Sequence, residues 1–87
     1  MKGYVYILKG INSKFYVGST ADIKNRIRQH QHGHTQTTRN MGKFNIALIQ
    51  EYEDIKTARK IEFKIKGLKR KDYIEKIIKD GFIRIEL

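Results

Sequence analysis

Two short aromatic-rich runs, Tyr4-Val5-Tyr6-Ile7-Leu8 and Phe15-Tyr16-Val17-Gly18-Ser19, flank the join Gly10-Ile11-Asn12-Ser13. Aromatic and β-branched residues suit a pleated, half-buried surface, and so short a polar join folds the second run back on the first. The chain is therefore expected to begin with an antiparallel hairpin. Successive side chains of a strand point to opposite faces, so Tyr4, Tyr6 and Leu8 share one face of the first strand, and Lys14, Tyr16 and Gly18 share one face of the second. Two phenols then stand side by side, next to a glycine that leaves room.

Thr20 or Asp22 is placed to cap a helix running to about His30. Within it Ile23, Arg26, Ile27 and His30 fall on one face. An inward arginine in a small domain is costly to bury unless something anionic meets it, so packing alone does not explain Arg26. Residues 31–43 are polar, include Gly33 and Gly42, and read as an exposed loop. The run Phe44 to Ile49 is apolar at Phe44, Ile46 and Leu48 on one face and at Ala47 and Ile49 on the other, which predicts a strand covered on both sides at the centre of the sheet.

From Asp54 the period becomes helical, with Ala58, Ile61, Ile65 and Leu68 forming a buried stripe. A last helix over about 71–79 presents Ile74, Ile77 and Ile78 and is stopped by Asp80-Gly81. The tail, residues 82–87, alternates like an edge strand. The expected fold is one α+β domain over residues 1–87, a small three-stranded antiparallel sheet flanked by three helices.

Nineteen Lys and Arg against nine Asp and Glu leave a net charge of +10 on 87 residues, a field that attracts polyanions, nucleic acid foremost. A membrane surface is the competing polyanion, but no segment approaches the ~20 apolar residues a bilayer span needs, and no secretory leader is visible. Cysteine is absent, so disulfides and thiolate metal sites are excluded, and a cytoplasmic protein is expected.

The spacing of Tyr6, Tyr16, Gly18, Arg26, His30 and Glu62, with Asp-Ile-Lys-Asn-Arg-Ile at residues 22–27, resembles the GIY-YIG nuclease superfamily. Its short stand-alone members are the nearest in pattern. Each piece alone is weak; order and spacing together are specific. The resemblance implies a metal-dependent endonuclease acting on DNA phosphodiesters, with catalytic residues Tyr6, Tyr16, Arg26, His30 and Glu62. Phosphodiester hydrolysis needs a base to activate water and positive charge for the phosphorus oxygens. Tyr16 is the favoured base with Tyr6 positioning it, Arg26 suits a phosphate, and Glu62 suits one Mg²⁺ or Mn²⁺ that keeps most of its waters. Taken singly, the tyrosines read as an ordinary cross-strand pair, Arg26 as snorkelling over Ile23, and Glu62 as a partner of Lys66 and Arg59 on a helix face.

Glu62 is the only acid between Lys56 and Lys71, a stretch with eight basic residues. Arg59, Lys66, Lys69 and Arg70 from that stretch, together with Lys14, Arg39 and Lys43, are the expected nucleic-acid contacts, extended by the hydroxyls of Thr35, Thr37 and Thr38. His30, His32 and His34 invite a zinc reading, but three or four ligands must converge, and Gly33 within a polar stretch favours loop histidines, with His30 set apart on the helix. The chain departs from the family pattern in two places. Tyr4 stands where the first motif has glycine, with Gly3 one place early, and no asparagine follows Asn45, so Lys66 or Lys69 is expected to take over positioning. Specificity is expected to be weak, structure-directed or supplied by a protein partner. The alternatives are a nucleic-acid-binding module of the same fold without catalysis, and a basic adaptor for an acidic protein.

Overall fold

The computed structural model describes residues 1–11, 14–32, 43–68 and 70–85. Among these the elements run β1 (Gly3–Gly10), β2 (Phe15–Thr20), α1 (Ile23–Gln31), β3 (Phe44–Tyr52), α2 (Ile55–Leu68) and α3 (Lys71–Asp80). The strands form one antiparallel sheet in the order β2-β1-β3. The expected α+β architecture is the one observed.

The sheet's centre is β1, which corrects the placement of β3 there. Its Val5 and Ile7 on one face and Tyr6 and Leu8 on the other are all at most 1% exposed. β3 is an edge strand whose Ile46 and Ile49 remain 43% and 45% exposed. An irregularity explains the misreading: Ile7 pairs with Leu48 but Leu8 pairs with Ile46, so Ala47 is an extra residue in β3. A bulge reverses the alternation beyond it. Leu48 therefore joins the face of Val5 and Ile7, while Ile46 lies on the face of Leu8.

On the Val5 and Ile7 face, Val17 and Leu48 meet Ala58, Ile61 and Ile65 of α2, Ile77 of α3, and Ile83. Asp54 starts α2 by accepting the Thr57 N–H at 2.6 Å, the role of a side-chain cap. Leu68 departs from the expected stripe and is 44% exposed, since it ends α2 where the chain leaves for α3. α3 ends at Gly81, in the left-handed conformation at φ 83°, whose N–H reaches the Ile77 and Ile78 carbonyls.

Residues 82–85 of the tail form no strand, another correction, and residues 86 and 87 lie outside the described residues. Ile83 is buried, and its backbone is satisfied by one side chain of β3: the Ile83 N–H donates to Gln50 Oε1 at 2.7 Å, and Gln50 Nε2 donates to the Ile83 carbonyl at 3.3 Å. A side-chain amide thus does the work of a strand neighbour, which an alternating pattern cannot signal. Of the expected loop, Gln31 ends α1, His32 caps it, and residues 33–42 lie outside the described residues. No helix among the described residues is long and apolar enough to cross a membrane.

Candidate active site

The opposite face of the sheet is covered by α1. Thr20, the last residue of β2, accepts the Asp22 N–H at 3.1 Å, and Asp22 accepts the Asn25 N–H at 3.2 Å, so the strand runs directly into the helix cap. That start fixes which face of α1 meets the sheet. Ile27 packs against Tyr6 and Leu8, with Ile23, Tyr16 and Phe44 around them, and His30 is buried one turn further on.

Tyr6 is opposite Gly18 in the β1–β2 register. A Cβ at position 18 would lie 2.5 Å from Tyr6 Cζ and closer still to the phenol oxygen, so glycine lets the ring cross the neighbouring strand. The phenol oxygen reaches His30 Nε2 at 2.9 Å. The Tyr6 and Tyr16 rings are 6.1 Å apart between centroids, Tyr16 and His30 5.2 Å, and Phe44 meets His30 edge-on at 6.4 Å. Burial holds the Tyr6 phenol well above its ordinary pKa, and the Tyr16 phenol adds to this against the opposing Arg26 charge. Burial likewise lowers the pKa of His30, with the Arg26 charge acting in the same direction. Tyr6 and His30 are therefore a neutral hydrogen-bonded pair at neutral pH, and Tyr6 keeps its proton. Tyr16 stays half-buried, at the rim.

Arg26 is half-buried on the same helix face, and among the described residues no carboxylate pairs with it. Glu62 approaches β2 from α2. Ser19 donates a hydrogen bond to one carboxylate oxygen, and Lys66 Nζ meets the other at 2.6 Å. The same Lys66 lies 5.5 Å from the centroid of the Tyr16 ring. The Glu62 charge also contributes to the raised pKa of Tyr6. Two elements on opposite faces of the sheet thus deliver their side chains to one edge strand.

Residues 2–77 match the GIY-YIG catalytic domain. The chain belongs to the GIY-YIG family. It is similar to the UPF0213 protein YhbQ of Escherichia coli O1:K1, 27% identical over 85 residues that cover 97% of this chain and 84% of that one. The YhbQ protein of Salmonella arizonae is 32% identical over 69 residues, covering 78% and 69%. Among solved structures, the solution NMR structure of the UPF0213 protein BH0048 from Bacillus halodurans aligns with a TM-score of 0.60 at 29% identity, over 93% of this chain and 87% of that one. These are short members of the family, as the motif spacing implied.

In this GIY-YIG domain the displaced first glycine has a packing reason. A Cβ at Gly3 would come 2.5 Å from Ile55 Cα, where the start of α2 presses on β1, whereas Tyr4 is half-buried and donates to Glu51 at 3.2 Å. Of the expected nucleic-acid contacts, Lys14, Lys66 and Arg70 line a cleft beside Tyr16, together with Phe15, Val17 and Lys71. Lys43 is exposed at the hairpin end of the sheet, where its carbonyl accepts the Ile11 N–H at 3.1 Å. Arg59 is not beside Glu62 as an ion partner; it lines the outward face of α2 with Lys56 and Lys60. Arg39, Lys69, His34, Thr35, Thr37 and Thr38 lie outside the described residues.

His30 and His32 diverge, one buried and one exposed, and among the described residues no group of three or more His, Cys, Asp or Glu is placed to hold a metal. Sequence reasoning missed Ser19, Phe44 and Lys71. Ser19 alternates with Val17 and so faces α2, a signal that was available; Phe44 reaches His30 only because of the tertiary fold.

Proposed function

We propose that this domain is a metal-dependent endonuclease hydrolysing DNA phosphodiesters at the rim formed by Tyr16, Arg26 and Glu62. The observation that carries this reading is Arg26: a half-buried guanidinium whose charge acts on the Tyr6 phenol and on His30, without a carboxylate partner among the described residues. A phosphate oxygen supplies the missing anion, and the planar fork of donors is then set for the charge that develops on phosphorus oxygens in the transition state. Tyr16, at the rim, is the base in its phenolate form: it takes a proton from the attacking water and becomes a neutral phenol as the water oxygen bonds to phosphorus and the leaving oxygen departs. Tyr6, which keeps its own proton, positions Tyr16 and His30.

Glu62 fits a divalent ion as its one protein carboxylate, because an isolated carboxylate suits an ion that keeps most of its waters. When bound, Mg²⁺ or Mn²⁺ supplies Lewis-acid stabilisation of the phosphate and the leaving oxygen. Ser19 orients the carboxylate that would hold the ion, and Lys66 balances its charge. That ion pair also favours a second reading, a nucleic-acid-binding module that has kept the fold without catalysis.

The deciding experiment incubates the purified protein with nicked, branched and duplex DNA in Mg²⁺ or Mn²⁺. Arg26→Ala is expected to lose about 10²-fold or more in cleavage. It should keep most of its binding, since one of nineteen cations is removed. Glu62→Gln should abolish cleavage while holding or strengthening binding, because a negative charge facing the phosphates is gone. Cleavage that persists in excess chelator overturns the metal assignment; salt-sensitive binding with no cleavage under any of these conditions establishes the binding module.

A further inference from the structure

Phe63 is 79% exposed, on a helix whose Ala58, Ile61 and Ile65 are buried. At 100° per residue it points away from the core, and so do its neighbours on that surface. Together Ile55, Lys56, Arg59, Lys60, Phe63 and Lys64 line one shallow groove. A solvated helix face accounts for the four cations but not for the phenyl ring. Lysine stems can cover an apolar ring, and at this degree of exposure they do not. No acid occurs among the groove residues, so the surface is complementary to a polyanion and to nothing cationic. Cations that track a backbone, interleaved with an aromatic ring on which a base can stack, form the combination that binds unpaired nucleic acid without reading its sequence.

The position of this groove matters as much as its composition. Going round α2 from Glu62, the side chains met are Lys66, then Arg59, then Phe63, so the basic surface continues from the site edge to the ring. The span is roughly one helix diameter, ~10 Å. A strand leaving the cleft beside Tyr16 can follow it.

We infer that the outward face of α2 is a second nucleic-acid contact, in which Phe63 stacks an unpaired base of a single-stranded tail while Lys56, Arg59, Lys60 and Lys64 hold its phosphates. This rests on the nucleic-acid reading of the domain and specifies the substrate class as duplex carrying a single-stranded extension. Such a contact supplies structure preference without an attached specificity domain.

The test is equilibrium binding of the full chain, in chelator so that cleavage plays no part, to a blunt duplex and to the same duplex with a single-stranded tail containing 2-aminopurine. Wild type should bind the tailed DNA more tightly and quench the 2-aminopurine fluorescence. Phe63→Ala should lose about tenfold in affinity for the tailed DNA and less than twofold for the blunt one. Phe63→Trp should retain both affinity and quenching. Because the ring is exposed, its removal leaves the core untouched, and an unchanged melting curve verifies this. Equal losses on both DNAs, or unaltered quenching in Phe63→Ala, overturn the proposal. So does a wild type that sediments as a dimer and becomes monomeric on Phe63→Ala, which would make this face a self-association surface. Tail binding without cleavage leaves this contact standing and removes only the nuclease reading.

Discussion

The two faces of the sheet are built from different materials. Against α2 and α3 the chain packs an almost purely aliphatic layer: Val5, Ile7, Val17, Leu48, Ala58, Ile61, Ile65, Ile77 and Ile83. Against α1 the buried residues are Tyr6, Leu8, Ile27 and His30, bordered by Tyr16, Ile23 and Phe44. Both faces descend from the same strand, since β1 sends alternate side chains each way. The aliphatic face needs nothing but close packing, and apolar burial at ~25 cal/mol per Å² stabilises it without directional demands. The α1 face buries a phenol and an imidazole, tolerable only because they satisfy each other, and among the described residues no buried side-chain nitrogen or oxygen lacks a partner. One face holds the fold together. The other spends burial on groups that can do chemistry at its rim.

The contrast breaks first on the aliphatic side. Ile61→Ala leaves a cavity between α2 and the sheet and is expected to cost about 2–5 kcal/mol, a large fraction of the stability of so small a domain. Thermal or urea melts measure it, and a loss below 1 kcal/mol would show that this layer collapses freely and is not the main support. On the other face, Gly18→Ala sets a methyl against the Tyr6 ring and should cost about 1–3 kcal/mol, and on the proposed nuclease reading cleavage should fall with it because the Tyr6–His30 pair must move. Replacing Tyr6 with leucine as well should remove most of the Gly18→Ala penalty, and a double-mutant cycle that finds the two changes additive would separate the glycine from the ring.

The smallest effect concerns pH. The fold disfavours protonation of His30, whereas the unfolded chain takes up that proton near pH ~6.5. Below that value the unfolded chain binds more protons, so the stability contributed by neutral His30 is complete above it and declines as pH falls through it. Melting temperatures recorded from pH 8 to pH 5 should drop more steeply for wild type than for His30→Gln. Parallel curves would mean that His30 accepts a proton in the fold without strain, and the two faces would then differ less than their composition suggests.

Much of this organisation is legible in the sequence because it depends on local periodicity. Two-residue alternation marked β1 and β2 and set Tyr6 and Tyr16 on a common face with Gly18. The 3.6-residue spacing placed Arg26 and His30 inward on α1, and Asp80-Gly81 ended α3. Those features follow from backbone geometry that neighbouring residues impose on one another. Tertiary structure decided what no local pattern encodes. An unpaired Ala47 reverses the alternation of β3, and β1, with a neighbour on each edge, takes the centre of the sheet. Gln50 satisfies the Ile83 backbone across 33 positions, so Ile83 needs no strand partner. Glu62 meets Ser19 across 43 positions. Register, edge order and long-range polar pairing are set by the competition of whole surfaces for burial, and that competition takes place only once the chain has closed on itself.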